Sequence, residues 1–402
     1  MMRYVPRAIL LTAFVVVSIT PAVSRAQNSA PDTDAIARTV VTQNLGVTEG
    51  EKVLIFGPVR EIHLLEDLAF HVRNVGAFPL VTITSDRMVE RGNEVPSSYD
   101  AVTDAFELAL MEFVDATLVV APDWHPGVLA DLPPDRFAAR NAAYQPISRR
   151  ARERRVRFLE IGNGLSPTDW RAEQAGMSKD DMTSMFWSGI SLDYAELERK
   201  GQAVLQRLEA GRDVRVTHPD GTDLRFRIDG RPVFVNDGTV SAADRDQGGA
   251  AVLTWLPAGE VYVTAVPGTA TGVVVIPKKA YLDDPSAESE IRNLRIEFRD
   301  GRAVSITGEG PGFANYQTWH DAAGEGRDAF GVLDIGLNPH IRLPEDSGFG
   351  SFLPEGDVTL AYGNDTWAGG ENDVGWGDAH FMQGATVLLD GEPLVQDGRL
   401  TP

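Results

Sequence analysis

Asp378-Ala379-His380 sets a carboxylate and an imidazole two residues apart. In an extended segment, residues i and i+2 point to one face. The two groups then project side by side, as a hydrolytic or oxidative metal site requires. The same spacing also makes an ordinary surface ion pair, so the setting matters. The triplet lies between a Gly/Asn-rich loop (Gly363-Asn364-Asp365-Thr366-Trp367-Ala368-Gly369-Gly370) and an apolar run ending in Thr386-Val387-Leu388-Leu389-Asp390-Gly391.

Two more carboxylates draw notice. Pro257-Ala258-Gly259-Glu260-Val261-Tyr262-Val263 places Glu260 at the mouth of a strand, just after a Pro/Gly turn. A carboxylate there can be held rigidly toward a cleft, or it can be an exposed strand end. Phe330-Gly331-Val332-Leu333-Asp334-Ile335-Gly336 sets one charged residue, Asp334, inside an apolar strand. Burying a carboxylate costs several kcal/mol unless it is paired or bound to metal, so Asp334 needs a partner. A metal, an Arg or backbone N–H groups would each serve. The chain has no cysteine, which leaves His, Asp, Glu and water as ligands. His125 follows a strand where α/β folds place ligand-binding residues, and His320 and His340 flank the Asp334 strand. There is no H-E-x-x-H, G-x-S-x-G or P-loop pattern.

The elements that must position these groups fall into two halves. Short apolar runs at Lys52–Gly57, Pro79–Ile83, Thr117–Ala121 and Arg157–Ile161 alternate with helical patterns at Asp32–Asn44, Glu61–Val75, Ala101–Phe113 and Asn141–Arg155. That alternation predicts an α/β domain with a doubly wound, mostly parallel sheet. No G-x-G-x-x-G follows the first strand, so no dinucleotide site is expected. The basic run Arg149–Arg155 reads as a solvated helix face. An amphipathic helix, Tyr194–Glu209, leads to short alternating strands with tight turns such as Pro219-Asp220-Gly221 and Asp229-Gly230. The expected domains are therefore 27–210, α/β, and 211–402, a β-rich α+β unit carrying the metal site.

Composition bounds the rest. The 402 residues suffice for two cores. A formal charge of -21 argues against a nucleic-acid binder, which would need a basic face. Residues 1–26 read as a secretory signal: Arg3 and Arg7, an apolar stretch from Ala8 to Ile19, then Ser24-Arg25-Ala26 as a cleavage site. The stretch is short for a membrane span, with a retained anchor as the alternative. No later segment reaches spanning length.

Taken in order, several segments resemble the aminopeptidase T / aminopeptidase S type of metallopeptidases. They are Leu45-Gly46-Val47 through Ile55, His218-Pro219-Asp220-Gly221-Thr222-Asp223-Leu224, Pro257–Val261, Ile335-Gly336-Leu337-Asn338-Pro339, and Gly363 to Met382. The resemblance implies two divalent ions that activate water against an N-terminal peptide bond, and a homodimer. It places Glu260 on the family's first bridging Glu. The second Glu falls on Val332, with Asp334 as the local substitute, the next-strand His on Thr359, and the catalytic Tyr on Thr366 or Trp367. The terminal H-x-D pair appears with its residue types exchanged, as Asp378 and His380. The sequence is also similar to iron(II)-dependent dihydroxypyridine ring-cleaving dioxygenases, for which Asp334, Asp378 and His380 would form a three-ligand set.

The expectation is an exported, periplasmic or secreted, metal-dependent aminopeptidase-like hydrolase acting on a small peptide or amide. Glu260, Asp334, Asp378 and His380 are its expected ligands, holding one or two ions per chain. Zinc or cobalt is the first choice, with manganese or iron next, and Glu260 or Asp334 is the general base. The alternatives are the iron dioxygenase and a non-catalytic exported binding protein.

Overall fold

The structure is a computed structural model that describes residues 32–128, 132–280, 289–344 and 349–401. The expected signal segment and its cleavage site lie outside the described residues.

A five-stranded parallel sheet forms the first layer, in the order Phe78–Thr84, Lys52–Pro58, Ala116–Val120, Arg157–Ile161 and Leu253–Leu256. Its first four strands in chain order carry the apolar runs read from the sequence, and helices make the crossovers between them, as a parallel sheet demands. Asp32 caps the first helix, Thr33–Thr39, by accepting from the Ala35 N–H at 3.0 Å. The helix expected over Ala101–Phe113 is only Ala105–Leu110, because Asp104 accepts from the N–H groups of Phe106 and Glu107 and starts it there. The basic helix is longer than expected, Pro134–Glu153, with Pro134 in its first turn.

The remaining strands build two antiparallel sheets. One has eight strands, ordered Arg302–Glu309, Glu290–Arg299, Thr271–Ala280, Asp223–Arg227, Asp213–Thr217, Thr386–Leu389, Glu392–Gln396 and Arg399–Leu400. The other has five, ordered Gly377–Met382, Val358–Gly363, Phe330–Gly336, Glu260–Thr264 and Val233–Asn236. Every strand expected to carry a site residue is in this second sheet.

The helix Tyr194–Ala210 ends where the β-rich part begins. The strand Leu253–Leu256, from beyond that point, nevertheless joins the parallel sheet beside Arg157–Ile161. By its contacts the chain from Asp32 onward is one compact unit. No helix among the described residues is long and apolar enough to cross a membrane.

Candidate functional site

Pairing in the five-stranded antiparallel sheet decides which side chains meet, because residues directly opposite one another share a face. One cross-strand row runs Phe234, Tyr262, Asp334, Thr359, Phe381. A second row on that face runs Thr264, Val332, Ala361, Ala379. Glu260 stands on the same face, opposite Asn236 and Gly336. The sheet thus brings Glu260 and Asp334 together as diagonal neighbours.

The opposite face carries Val263, Leu333, Leu360 and His380 in one row, and Phe330, Tyr362 and Asp378 in another. Asp378 and His380 do share a face, as their spacing predicts. It is not the face of Glu260 and Asp334. The four expected ligands, and the three-ligand set of Asp334, Asp378 and His380, do not converge on one point. On the Glu260 face the last strand presents Ala379 and Phe381 instead.

The turn before Glu260 is built tightly. Gly259 has φ +124°, and a Cβ there would lie 2.9 Å from the backbone nitrogen of Asn338. Fully buried Asn338 donates to the carbonyls of Ala258 at 2.6 Å and Gly189 at 3.1 Å. The Gly-Leu-Asn-Pro turn therefore anchors the approach to Glu260. Asn236 donates to Glu260 Oε1 at 2.9 Å and to the Trp255 carbonyl at 3.1 Å, and accepts from the Thr254 hydroxyl at 2.7 Å. The sequence reading did not single out Asn236, since an Asn at a strand end has no local signature.

Glu260 and Asp334 are both buried. Burial pushes the Glu260 carboxyl up to about 7, with the Asn236 hydrogen bond pulling the other way. Burial, and then the charge of Glu260, push Asp334 well above the ordinary range. Among the described residues, neither Asp334 carboxylate oxygen has a hydrogen-bond partner. Around the pair the face is aromatic: Tyr262 and Phe234 stack at 5.8 Å, Trp367 lies 5.4 Å from Tyr262, and Phe352 packs on Trp367 and Phe381.

Asp378 has quite different company. Its carboxylate is ion-paired to Lys279, which also donates to the Ala379 carbonyl at 2.9 Å. Burial pushes Asp378 up, but Lys279, His380 and Tyr316 outweigh that and hold it below the usual range. Burial drives His380 down to about 3, although Asp378 lies 3.5 Å from Nε2. The imidazole stacks on Tyr362, whose hydroxyl is bonded to that of Tyr316. Lys279 and Tyr316 were not anticipated, as each is far from Asp378 in sequence.

Of the other histidines named as candidates, His320 pairs with Asp328 at 2.9 Å beside a cavity of about 210 Å³ lined also by Tyr316 and Ser305. His125 is exposed after the Ala116–Val120 strand.

These residues can be tested against a metal centre. Among the described residues no three His, Asp or Glu side chains gather as a cation site. The Glu260 face offers two carboxylates and no imidazole, so it does not fit a two-ion, histidine-containing centre of the zinc or cobalt kind. The orphaned oxygens of Asp334 beside Glu260 do fit a single divalent cation held through oxygen.

Comparison with known proteins places this architecture. The chain is similar in structure to wild-type AmpT from Thermus thermophilus, with a TM-score of 0.68 and 17% identity, covering 92% of this chain and 99% of that one. It is also similar to 2,5-dihydroxypyridine dioxygenase from Pseudomonas putida KT2440, with a TM-score of 0.57 and 12% identity, covering 92% and 96%. At such identities the likeness shows the fold. No curated protein matches the chain by sequence. A family model, thermophilic metalloprotease (M29), matches residues 30–312, which include Glu260 and stop short of Asp334, Asp378 and His380. The chain therefore belongs to the thermophilic metalloprotease (M29) family, a family of metallopeptidases.

Proposed function

We propose that this chain is an exported metal-dependent hydrolase that cleaves amino-terminal peptide or amide bonds of small substrates, with Glu260 and Asp334 holding one divalent ion. The observation that carries the site is the Asp334 carboxylate, fully buried beside Glu260 with neither oxygen paired among the described residues. Family membership supplies the reaction class. An ion held there would supply an acidified, nucleophilic water. The protein's own part is positional. Asn236 fixes Glu260 Oε1, and the Asn338 turn fixes the strand's start. All-oxygen ligation favours manganese over the zinc or cobalt expected from the family. Export rests on the N-terminal pattern, and mass spectrometry of the secreted protein should find Gln27 as its first residue.

One observation favours a second reading, a family member that binds without turnover. The Glu260 face carries Val332, Thr359, Ala361, Ala379 and Phe381 on its other strands and is packed with aromatic rings. A panel of aminoacyl chromophores, assayed with manganese, cobalt, zinc and iron(II), separates the two readings. Turnover that depends on added metal and disappears in Glu260→Gln supports the hydrolase. Metal binding without turnover supports the binding protein. No metal uptake and no turnover would overturn the hydrolase reading.

A further inference from the structure

The two faces of the parallel sheet are not alike. On one, Val53, Ile55, Leu118, Val120, Leu159 and Ile161 are buried. On the other, the row toward the carboxyl ends of the strands runs Thr82, Phe56, Val119, Glu160, Trp255, and all five are half-buried. The helix Pro134–Glu153 packs on this second face toward the amino ends of the strands, where Ile147 joins Leu54, Val114 and Val156 in an apolar cluster. Nearer its start the helix reaches the β-rich part, with Phe137 against Trp319 at 4.4 Å. The carboxyl-end row is left partly open, and that end of an open α/β sheet is where such folds bind ligands.

Glu160 is the one charged side chain in that row. Its Oε1 accepts from the Asn163 N–H at 3.2 Å, and among the described residues no cation pairs with it. Burial and the charge of Asp123 both oppose its ionisation. The nearby guanidinium is engaged elsewhere: Arg171 donates to Asp123 at 3.2 Å and stacks over Trp170 and Phe349. Carboxylates held at such a cost gather at functional sites. The turn behind Glu160 is also tied to the chain that enters Glu260. Asn163 Nδ2 donates to the Pro257 carbonyl at 3.0 Å, and the Gly162 N–H donates to the Leu256 carbonyl at 2.7 Å. An aromatic path joins the two carboxylate positions. Phe158 meets Trp255 at 6.0 Å, Trp255 meets Trp367 at 6.4 Å, and Trp367 meets Tyr262, the cross-strand neighbour of Asp334, at 5.4 Å. The Asn236 amide bonds both the Trp255 carbonyl and Glu260 Oε1, so the two ends lie within the length of a short peptide.

We infer that Glu160 receives the cationic side chain of a lysyl or arginyl substrate, with Trp255 and Phe158 packed along its alkyl stem; this rests on Glu260 and Asp334 being the reacting site. The chemistry of the recess selects that class. Ring faces accept both methylene groups and an ammonium or guanidinium, and the carboxylate at the end supplies the opposite charge. An acidic side chain would meet Glu160 and Asp123 together and be repelled. A neutral one would cover the Glu160 carboxylate without pairing it, which costs what the contact gains.

Calorimetric titration of the full-length protein with lysinamide and with norleucinamide tests this. The two ligands share the α-amine and the four-carbon stem and differ in the terminal ammonium. At pH 8, above the value of about 7 to which burial raises Glu160, lysinamide should bind the parent roughly tenfold more tightly. Glu160→Gln should lose that preference, with lysinamide weakened about tenfold and norleucinamide much less. The titration needs neither metal nor turnover, so its result is separate from that of the chromophore assay. A lysinamide preference without turnover would keep this site and overturn the hydrolase reading, whereas turnover without the preference would overturn this site alone. The inference is also overturned by a preference that survives in Glu160→Gln, or by equal weakening of both ligands in that variant.

Discussion

Asp334 and His380 belong to strands of one sheet separated by a single intervening strand, yet their side chains leave on opposite faces. Asp334 looks into an aromatic cluster with Glu260, while His380 looks toward Tyr362, Asp378 and Lys279. The consequences of this division are measurable.

The two faces should respond differently to metal. If Glu260 and Asp334 hold an ion, manganese should raise the melting temperature of the parent, since a ligand of the native state alone stabilises it. Asp334→Asn and Glu260→Gln should each abolish that rise, whereas His380→Ala should keep it. Scanning calorimetry with and without manganese reads the difference. Loss of the rise in His380→Ala alone would reverse the assignment of faces.

Lys279→Met should destabilise the protein by about 3 kcal/mol, because it leaves the Asp378 carboxylate buried without its counter-charge. Urea unfolding at pH 7 measures this. The double variant Lys279→Met/Asp378→Asn should recover most of the loss, since no buried charge then remains.

Glu160, on the Arg157–Ile161 strand and paired with Trp255, sets a pH dependence of its own. Burial and then Asp123 push its carboxyl up to about 7, from an ordinary value of 4.5. A raised carboxylate means that the folded state holds a proton which the unfolded state has already lost. Its contribution is therefore intact below about pH 4.5 and is lost as pH rises through 7. Glu160→Gln should be roughly 1–3 kcal/mol more stable than the parent at pH 8 and about equal to it at pH 4.5. Denaturant titrations at the two pH values test the sign.

His380 acts in the acid range. Its folded value of about 3 lies below the ordinary 6.5, so between these limits the unfolded chain binds a proton that the folded chain refuses. Stability should therefore fall as pH drops below about 6.5, by up to roughly 1.4 kcal/mol per unit for this group. His380→Asn should flatten the slope between pH 6 and 4 in urea titrations. An unchanged slope would show that the imidazole is solvated.

Much of the scaffold is written locally. Arg157–Ile161 and Tyr194–Ala210 appear where hydrophobic period and capping place them. The basic run is indeed on a helix, though Arg150 is tied to Glu112 at 2.6 Å and Arg152 to Asp373 at 3.3 Å. Those acidic partners are distant in sequence, so no local pattern announces them.

The site divides along the same line. The twofold period of an extended backbone determines that Asp378 and His380 point together, and that Val332 and Asp334 do. Sequence also determines that Asp334 is buried, because its neighbours on the strand are apolar. Which pair faces which is fixed by the register between the Phe330–Gly336, Val358–Gly363 and Gly377–Met382 strands. A shift of one residue in that pairing would carry every side chain of a strand to the other face. Register is set by packing across the whole sheet, so only the tertiary structure could decide that Glu260 meets Asp334 and not His380.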